Sequence, residues 1–190
     1  AAVPGDVLTR LLRPAVADSF NCITVDGDAS TNDTVLAAST GVSGVVVSAS
    51  GEEEAFQIFE AGLRKVCFEL AMAIVRDGEG RTKVVEMRVK GAASVEEART
   101  AAREAAQSLL VKTALFGGDP NWGRIVAAIG RSGVQFEVER FSLRIGDVEV
   151  ARLGAPVEGS RIGTMETPDR SSTSLRATGY SRCTLPQGNR

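Results

Sequence analysis

Residues 26–34 read Asp-Gly-Asp-Ala-Ser-Thr-Asn-Asp-Thr and lie between two apolar runs, residues 22–25 and 35–38. The nine residues carry three carboxylates, one amide and three hydroxyls. Short apolar runs bounded by turn residues predict strands, here near 22–25 and over 34–39, with the polar stretch as their connecting loop. Such loops often hold functional sites, although a solvated turn rich in Asp and Gly would have the same composition.

The composition is that of a folded globular protein. The chain has 190 residues, of which 43% are hydrophobic, and its net charge is −2, which is enough for one packed domain and indicates neither a nucleic acid nor a membrane as partner. It has no apolar run long enough to span a membrane and no signal peptide pattern at its first residues. The three cysteines show no CxxC spacing, which favours a reduced, cytoplasmic compartment, and Cys67 is predicted to lie in the core.

Histidine is absent from the chain. This excludes Ser–His and Cys–His catalysis and His-based metal sites within it. If the protein is an enzyme, its base is therefore a carboxylate, a lysine or a terminal amine.

Two helices are predicted in the first 76 residues. Residues 4–20 place apolar side chains on one face, and Pro14 is expected to kink or end that helix. Residues 52–76 form the strongest helical pattern. Its apolar face is predicted to contain Phe56, Phe59, Leu63, Val66, Cys67, Leu70 and Ile74. The run 45–47 fits a third strand or a loop equally well.

The second half alternates strands and helices. Residues 83–91 alternate apolar and charged side chains, which predicts a half-solvated strand. Ser94 and Glu97 form a capping box that opens an alanine-rich helix, expected to run to about Lys112 and to pack closely on another layer. A loop over 115–123 and a short helix over 124–131 follow. Strands are predicted at residues 134–138, 141–145 and 148–151, with a tight turn at Gly146-Asp147.

The composition changes near Gly154. Residues 1–158 are predicted to form one domain. Residues 159–190 are rich in Ser, Thr, Gly, Pro and Arg and show neither helical nor strand periodicity, so they are predicted to be an atypical, poorly ordered tail.

Two polar segments contain residues that could bind a ligand. Counted from Asp26, an EF-hand would need Gly and Glu where Thr31 and Ala37 stand, so an EF-hand is not predicted. A looser divalent-cation site stays open there but has no spacing to support it. Residues 77–83 lack the spacing of a phosphate loop. In that segment Gly78 is expected to end the helix in the left-handed region, and Glu79 is either part of a charged turn or a carboxylate held for a ligand amine.

The only tryptophan, Trp122, lies in a glycine-rich loop. A lone Trp in such a loop more often anchors packing, frequently at a subunit contact, than binds a ligand. We therefore interpret it as a packing residue.

Several segments together resemble the ornithine acetyltransferase family, the bifunctional glutamate N-acetyltransferases of arginine biosynthesis. The matching segments are residues 19–35, residues 74–80 (Ile-Val-Arg-Asp-Gly-Glu-Gly) with Thr82-Lys83, residues 90–92, and residues 112–125 (Lys-Thr-Ala-Leu-Phe-Gly-Gly-Asp-Pro-Asn-Trp-Gly-Arg-Ile). The resemblance covers roughly residues 5–158, and residues 159–190 do not match the family's usual ending. It implies an α+β fold, a layered αββα sandwich like that of N-terminal-nucleophile aminopeptidases.

The resemblance also implies a reaction. Family members cleave themselves before a threonine whose hydroxyl then carries acetyl from N-acetylornithine to glutamate, and some accept acetyl-CoA. This chain resembles the β chain, which implies an α-chain partner in an α2β2 assembly. The nucleophilic threonine is expected about ten residues before Ala1, so no catalytic residue is assigned in this chain, and none of its residues is expected to bind a cofactor or metal. Glu79 matches the family glutamate that binds the amino-acid substrate.

Two other functions remain open at this point. An aminopeptidase of related architecture would hydrolyse rather than transfer, and would need a free N-terminal Ser or Thr. A non-catalytic remnant or interaction domain would also fit a chain that lacks the nucleophile and has an altered tail.

Overall fold

The computed structural model describes residues 1–48 and 54–158 and the backbone of residues 172–178. The chain divides into an N-terminal unit, Ala1–Glu79, and a C-terminal unit, Gly80–Arg190. Both helices and strands occur, so the predicted α+β class is confirmed. Most of the predicted tail, residues 159–171 and 179–190, lies outside the described residues.

The N-terminal unit consists of two packed helices and long connecting loops. Helix α1 spans Gly5–Ala17, helix α2 spans Glu54–Arg76, and a 3-10 turn at Phe20–Cys22 lies between them in sequence. Their small core contains Val7, Leu11, Val47 and Phe56, with Phe59 and Leu63 packed against it. Arg64 of α2 joins the two helices, because its guanidinium pairs with Glu60 at 3.0 Å and with Asp18 at 2.8 Å.

Pro14 lies inside α1 and does not end it, so of the two predicted outcomes, a kink or an end, the end is wrong and the kink stays a prediction. The helix continues to Ala17, and the Pro14 carbonyl accepts a hydrogen bond from the Asp18 N–H at 2.9 Å. Pro14 is exposed, whereas the opposite face buries Val7, Leu11 and Ala15. The buried face contacts α2, which offsets the loss of one helical hydrogen bond at the proline.

The strands predicted near 22–25 and over 34–39 do not form. Among the described residues of this unit the one β pairing is a bridge between Ala2 and Val46, so the run 45–47 is mostly loop. A strand is stable only when a neighbour satisfies its backbone N–H and C=O groups, and these two runs find no such ladder here.

Helix α2 buries only part of its predicted apolar face. Phe56 and Cys67 are buried as predicted. Val66, Leu70 and Ile74 are 51%, 54% and 50% exposed, so their predicted burial is wrong for the chain as described. The desolvation of Cys67 raises the pKa of its thiol, as expected for a cysteine in a core.

The C-terminal unit is built on a five-stranded sheet. Its strands are β1 (Val84–Lys90), β2 (Ser142–Ile145), β3 (Val148–Arg152), β4 (Ala155–Pro156) and β5 (Ser172–Thr178). Their spatial order is β1-β5-β2-β3-β4; β5 runs parallel to β1 and antiparallel to β2. The alternation predicted for β1 is confirmed, and the predicted strands at 141–145 and 148–151 are confirmed within one residue at each end.

Strand β5 was not predicted from sequence. It lies inside the segment 159–190, which shows no strand period, yet its backbone pairs with both β1 and β2. Its position between two strands is set by pairing, which composition alone does not reveal.

Three helices complete this unit: α3 (Val95–Gln107), α4 (Leu109–Phe116) and α5 (Trp122–Arg131). Ala101 and Ala105 of α3 are fully buried beside Ile125 and Ile129 of α5 and Leu143 of β2. The small alanine side chains let α3 approach the sheet and α5 closely, which confirms the predicted tight packing.

The capping box at the start of α3 is confirmed. The Glu97 N–H donates to Ser94 Oγ at 3.1 Å, and Glu97 Oε2 accepts from the Ala93 N–H at 3.2 Å. The helix does not reach Lys112, however. It ends at Gln107, and Ser108 begins α4 by accepting a bond from the Val111 N–H at 3.4 Å.

The strand predicted at 134–138 is replaced by an irregular segment and a 3-10 turn at Val138–Arg140. The segment nevertheless has the alternating burial of a strand. Val134 and Phe136 are half-buried against the core, and the Phe136 ring lies 6.0 Å from the Phe141 ring. The segment packs like a strand but does not join the sheet, so period-two burial alone does not establish a ladder.

Candidate functional site

The turn that carries Glu79 follows directly from the end of α2. The Asp77 N–H donates to the carbonyls of Ala73 and Ile74 at 3.0 and 3.2 Å, which closes the helix. The left-handed residue is Gly80, with φ +65°, rather than Gly78 as predicted. Glu79 therefore sits between a glycine that ends the helix and a glycine that reverses the chain.

Gly78 is needed for a close approach to Val25. A Cβ atom on Gly78 would lie 3.1 Å from Val25 Cγ1, which is closer than ordinary packing allows. Val25 is the last apolar residue before the polar loop 26–34. The start of that loop and the turn that carries Glu79 are therefore neighbours, although 50 residues separate them in sequence.

The Glu79 carboxylate is exposed. Within residues 1–48 and 54–158 it forms no hydrogen bond or ion pair, so its oxygens are free to accept bonds from a ligand. A carboxylate in this state suits an ammonium group, because a charge-assisted bond is stronger than a neutral one.

The polar loop beside this turn is braced by its own side chains. Asp26 Oδ1 accepts from the Asp28 N–H at 2.8 Å. Ser30 Oγ accepts from the N–H groups of Asn32 and Asp33 at 3.1 and 3.2 Å. These Asx and Ser turns order the loop locally. Part of the loop's polar composition therefore serves its own structure, which agrees with the alternative interpretation of residues 26–34 as a solvated turn.

No metal centre is evident in the described part of the chain: no three His, Cys, Asp or Glu side chains there are arranged to hold an ion. In the same residues, no helix is long and apolar enough to cross a membrane.

The glycine-rich run 117–123 is flanked by polar contacts that the sequence did not predict. Lys83 Nζ donates to the carbonyl oxygens of Leu115 and Phe116, at 2.5 and 3.4 Å, and so stabilises the C-terminal end of α4. Arg124 donates to the Leu110 carbonyl at 3.0 Å. Such pairings join residues far apart in sequence, so no local pattern signals them.

Trp122 is the first residue of α5 and is half-buried against the core of the C-terminal unit, which supports its interpretation as a packing residue. Asn121 caps this helix, since its Oδ1 accepts from the Arg124 N–H at 3.2 Å. The helix thus begins two residues earlier than predicted.

The chain is similar in sequence to known proteins. The model of the ArgJ family matches residues 1–172. The arginine biosynthesis bifunctional protein ArgJ of Symbiobacterium thermophilum is 49% identical over 157 residues, which are 83% of this chain and 39% of that protein. The glutamate N-acetyltransferase of Methanocaldococcus jannaschii is 55% identical over 132 residues, which are 70% of this chain and 32% of that protein.

The fold is also similar to that of a solved ArgJ structure. The crystal structure of the arginine biosynthesis bifunctional protein ArgJ from Bacillus halodurans superposes with a TM-score of 0.87 and 34% identity, covering 94% of this chain and 84% of that one. The chain spans well under half the length of the curated relatives it matches.

Proposed function

We propose that this chain, which belongs to the ArgJ family, is the β-chain part of an acetyltransferase that moves acetyl from N-acetylornithine to glutamate. The observation that carries this proposal is the Glu79 carboxylate, exposed and without a partner among the described residues, on a chain whose fold is similar to that of an ArgJ protein. The relatives' names, glutamate N-acetyltransferase and arginine biosynthesis bifunctional protein, support the same activity.

Glu79 has a binding role in this proposal. Both the acetyl donor and the acceptor are amino acids, and the Glu79 carboxylate would accept hydrogen bonds from a substrate ammonium group. Its position in a turn closed by α2 and packed on Val25 limits its movement. A positioned carboxylate of this kind orients the substrate before reaction and so lowers the entropic cost of the transition state.

The covalent step belongs to a threonine in the remainder of the longer polypeptide. Its hydroxyl attacks the acetyl carbonyl of N-acetylornithine, and ornithine leaves with the proton that the terminal amine took from the hydroxyl. The neutral amine of glutamate then attacks the acetyl ester, the bond between the threonine oxygen and the acetyl group breaks, and the proton lost by the glutamate amine returns through the terminal amine to the threonine oxygen as N-acetylglutamate leaves. A terminal amine as base agrees with a chain that has no histidine. Acetyl-CoA is a second donor to test, and no other cofactor is invoked.

The proposed partner is the α chain of the same precursor, in an α2β2 assembly in the cytoplasm. Because the catalytic threonine and the α chain both lie outside this chain, the chain by itself should not transfer acetyl.

A chimera tests this proposal. Residues 1–158 would replace the matching stretch of the Symbiobacterium protein, which keeps its own remaining sequence. Self-cleavage and acetyl transfer from N-acetylornithine to glutamate by the chimera, with no transfer by the isolated chain, are the expected results. Turnover by the isolated chain would contradict the proposal, and peptide hydrolysis without transfer would instead support the aminopeptidase.

A further inference from the structure

Strand β1 lies at one end of the five-stranded sheet. One of its edges pairs with β5 along the whole strand, Val84–Lys90. Its other edge pairs with no strand among the described residues, and apart from the ladder with β5 its backbone groups form no hydrogen bond there. A straight edge of this length is a template on which a further strand can pair.

The two faces of β1 differ in polarity. Val85, Met87 and Val89 are half-buried against the core of the C-terminal unit, on the face that α3 covers. Glu86 and Arg88 are exposed on the opposite face, where Arg88 Nε lies 2.6 Å from Glu86 Oε1. An exposed ion pair within one strand contributes little to stability. Both charged groups can therefore exchange this pairing for one with another chain at little cost.

The β1 sequence is complementary to itself when two copies run antiparallel. With Met87 of one copy opposite Met87 of the other, Glu86 lies opposite Arg88 on the charged face. In the same register Val85 lies opposite Val89 on the apolar face. A shift by two residues would bring Glu86 against Glu86 or Arg88 against Arg88. A shift by one residue would place charged side chains opposite apolar ones, so a single register satisfies both faces.

We propose that β1 pairs antiparallel with β1 of a second copy of this chain, so that the two sheets become continuous across a twofold axis. The charge complementarity of the strand with itself identifies a second copy as the occupant of the edge. A ladder of this length is a small interface, so we expect a dissociation constant of about 1–100 μM for the chain alone. The pairing supplies a contact between two β chains, and it does not depend on the proposed acetyl transfer.

Sedimentation velocity of the full chain tests the association. As the concentration rises from about 1 to 200 μM, the mass should change from that of a monomer to that of a dimer. Over the same range, the amides of β1 that point away from β5 should exchange more slowly in proportion to the dimer fraction. A monomer at every concentration, or a dimer whose β1 amides exchange as fast as those of the monomer, would overturn the proposal.

Charge reversals test the register. Glu86→Arg and Arg88→Glu each bring like charges opposite one another in a self-pair, so each should weaken self-association about 10-fold or more. An equimolar mixture of the two variants should associate about as tightly as the unaltered chain, because every cross-strand charge pair is then attractive. Glu69→Arg is the matched control: it changes the net charge equally and also removes an exposed ion pair, that with Lys65. It should leave the association unchanged.

The double variant Glu86→Arg/Arg88→Glu keeps the composition and net charge of the chain, and it tests the register even if a single reversal prevents folding. It should associate with itself but not with the unaltered chain, because mixed pairs bring like charges together. Free mixing of the double variant with the unaltered chain would overturn the proposal. So would a mixture of the folded single variants that associates no more tightly than either variant alone. None of these measurements involves turnover, so their failure would leave the proposed function intact, and an inactive chimera would not affect this inference.

Discussion

Gly78 and Val25 approach so closely that a Cβ atom on Gly78 would lie 3.1 Å from Val25 Cγ1. This contact joins the end of α2 to the start of the polar loop, and it explains the glycine without a left-handed backbone. The Glu79 turn and the loop are therefore expected to be energetically coupled.

A double-mutant cycle measures that coupling. Gly78→Ala should be less stable in urea unfolding when Val25 is present than in a Val25→Ala background, with a coupling free energy of about 0.5–1 kcal/mol. Gly62→Ala in the middle of α2 is the control. Its Cβ would meet nothing within 4 Å, so it should stabilise the chain by about 0.5–1 kcal/mol. If the effects of Gly78→Ala and Val25→Ala on the free energy of unfolding are additive, the contact between these two residues contributes no coupling energy.

Gly154 should tolerate no side chain. Its φ is +76°, and a Cβ would lie 2.5 Å from the Val138 carbonyl oxygen, a backbone atom that cannot rotate away. Gly154→Ala should therefore lower the free energy of unfolding by about 2–5 kcal/mol. Gly146→Ala is matched in backbone, with φ +57° and nothing within 4 Å, and should cost only about 1–2 kcal/mol. Similar losses for both, in parallel denaturant titrations, would contradict the predicted clash.

The two described cysteines should differ in reactivity. Cys22 is exposed, whereas Cys67 is buried and its pKa is raised by desolvation. Because the thiolate is the nucleophile, iodoacetamide at mildly alkaline pH should modify Cys22 rapidly and Cys67 only after unfolding. Peptide mapping by mass spectrometry distinguishes the two sites. Modification of Cys67 in native buffer at the rate of Cys22 would show that α2 does not bury it.

Glu149 should titrate below the usual range for a glutamate. A hydrogen bond from Arg152 lowers the pKa of its carboxyl group. The pKa of Glu149 is therefore lower in the folded state than in the unfolded state. Its bond with Arg152 stabilises the folded state fully at pH values above the unfolded pKa, and this stabilisation is lost as the pH falls through the folded pKa. In an NMR titration, Arg152→Gln should raise the Glu149 pKa towards its ordinary value. An unchanged midpoint in that variant would exclude the pairing with Arg152 as the cause.

The sequence predicted elements that depend on local signals and failed on those that depend on distant partners. The Ser94–Glu97 capping box and the alternation of β1 are encoded within a few residues, so both are confirmed. The boundary between α3 and α4 at Ser108 lies within a sequence that predicts one continuous helix, and only the cap geometry of Ser108 reveals it. Residues 34–39 contain a short apolar run and residues 134–138 alternate apolar and polar side chains, both typical of strands, but a ladder also needs a neighbouring strand.

The candidate site was predictable only in part. The resemblance pointed to Glu79, and the glycines beside it suggested a rigid turn. The approach of Val25 to Gly78 was not predictable, because it joins two loops 50 residues apart. Nor were the bonds from Lys83 to the end of α4, which depend on how the strand and helix meet.

The most direct test of the proposed function is the kinetic effect of Glu79→Gln in the active chimera. Gln keeps the size of the side chain and removes its charge, so self-cleavage should proceed normally. The lost charge-assisted bond, about 1.5–3 kcal/mol, should lower kcat/KM for N-acetylornithine and glutamate by about 10- to 150-fold. Glu69→Gln, which neutralises an exposed carboxylate on α2, should leave kcat/KM unchanged. Unchanged kcat/KM for both substrates in Glu79→Gln, with or without a lower Tm, would contradict the binding role of Glu79.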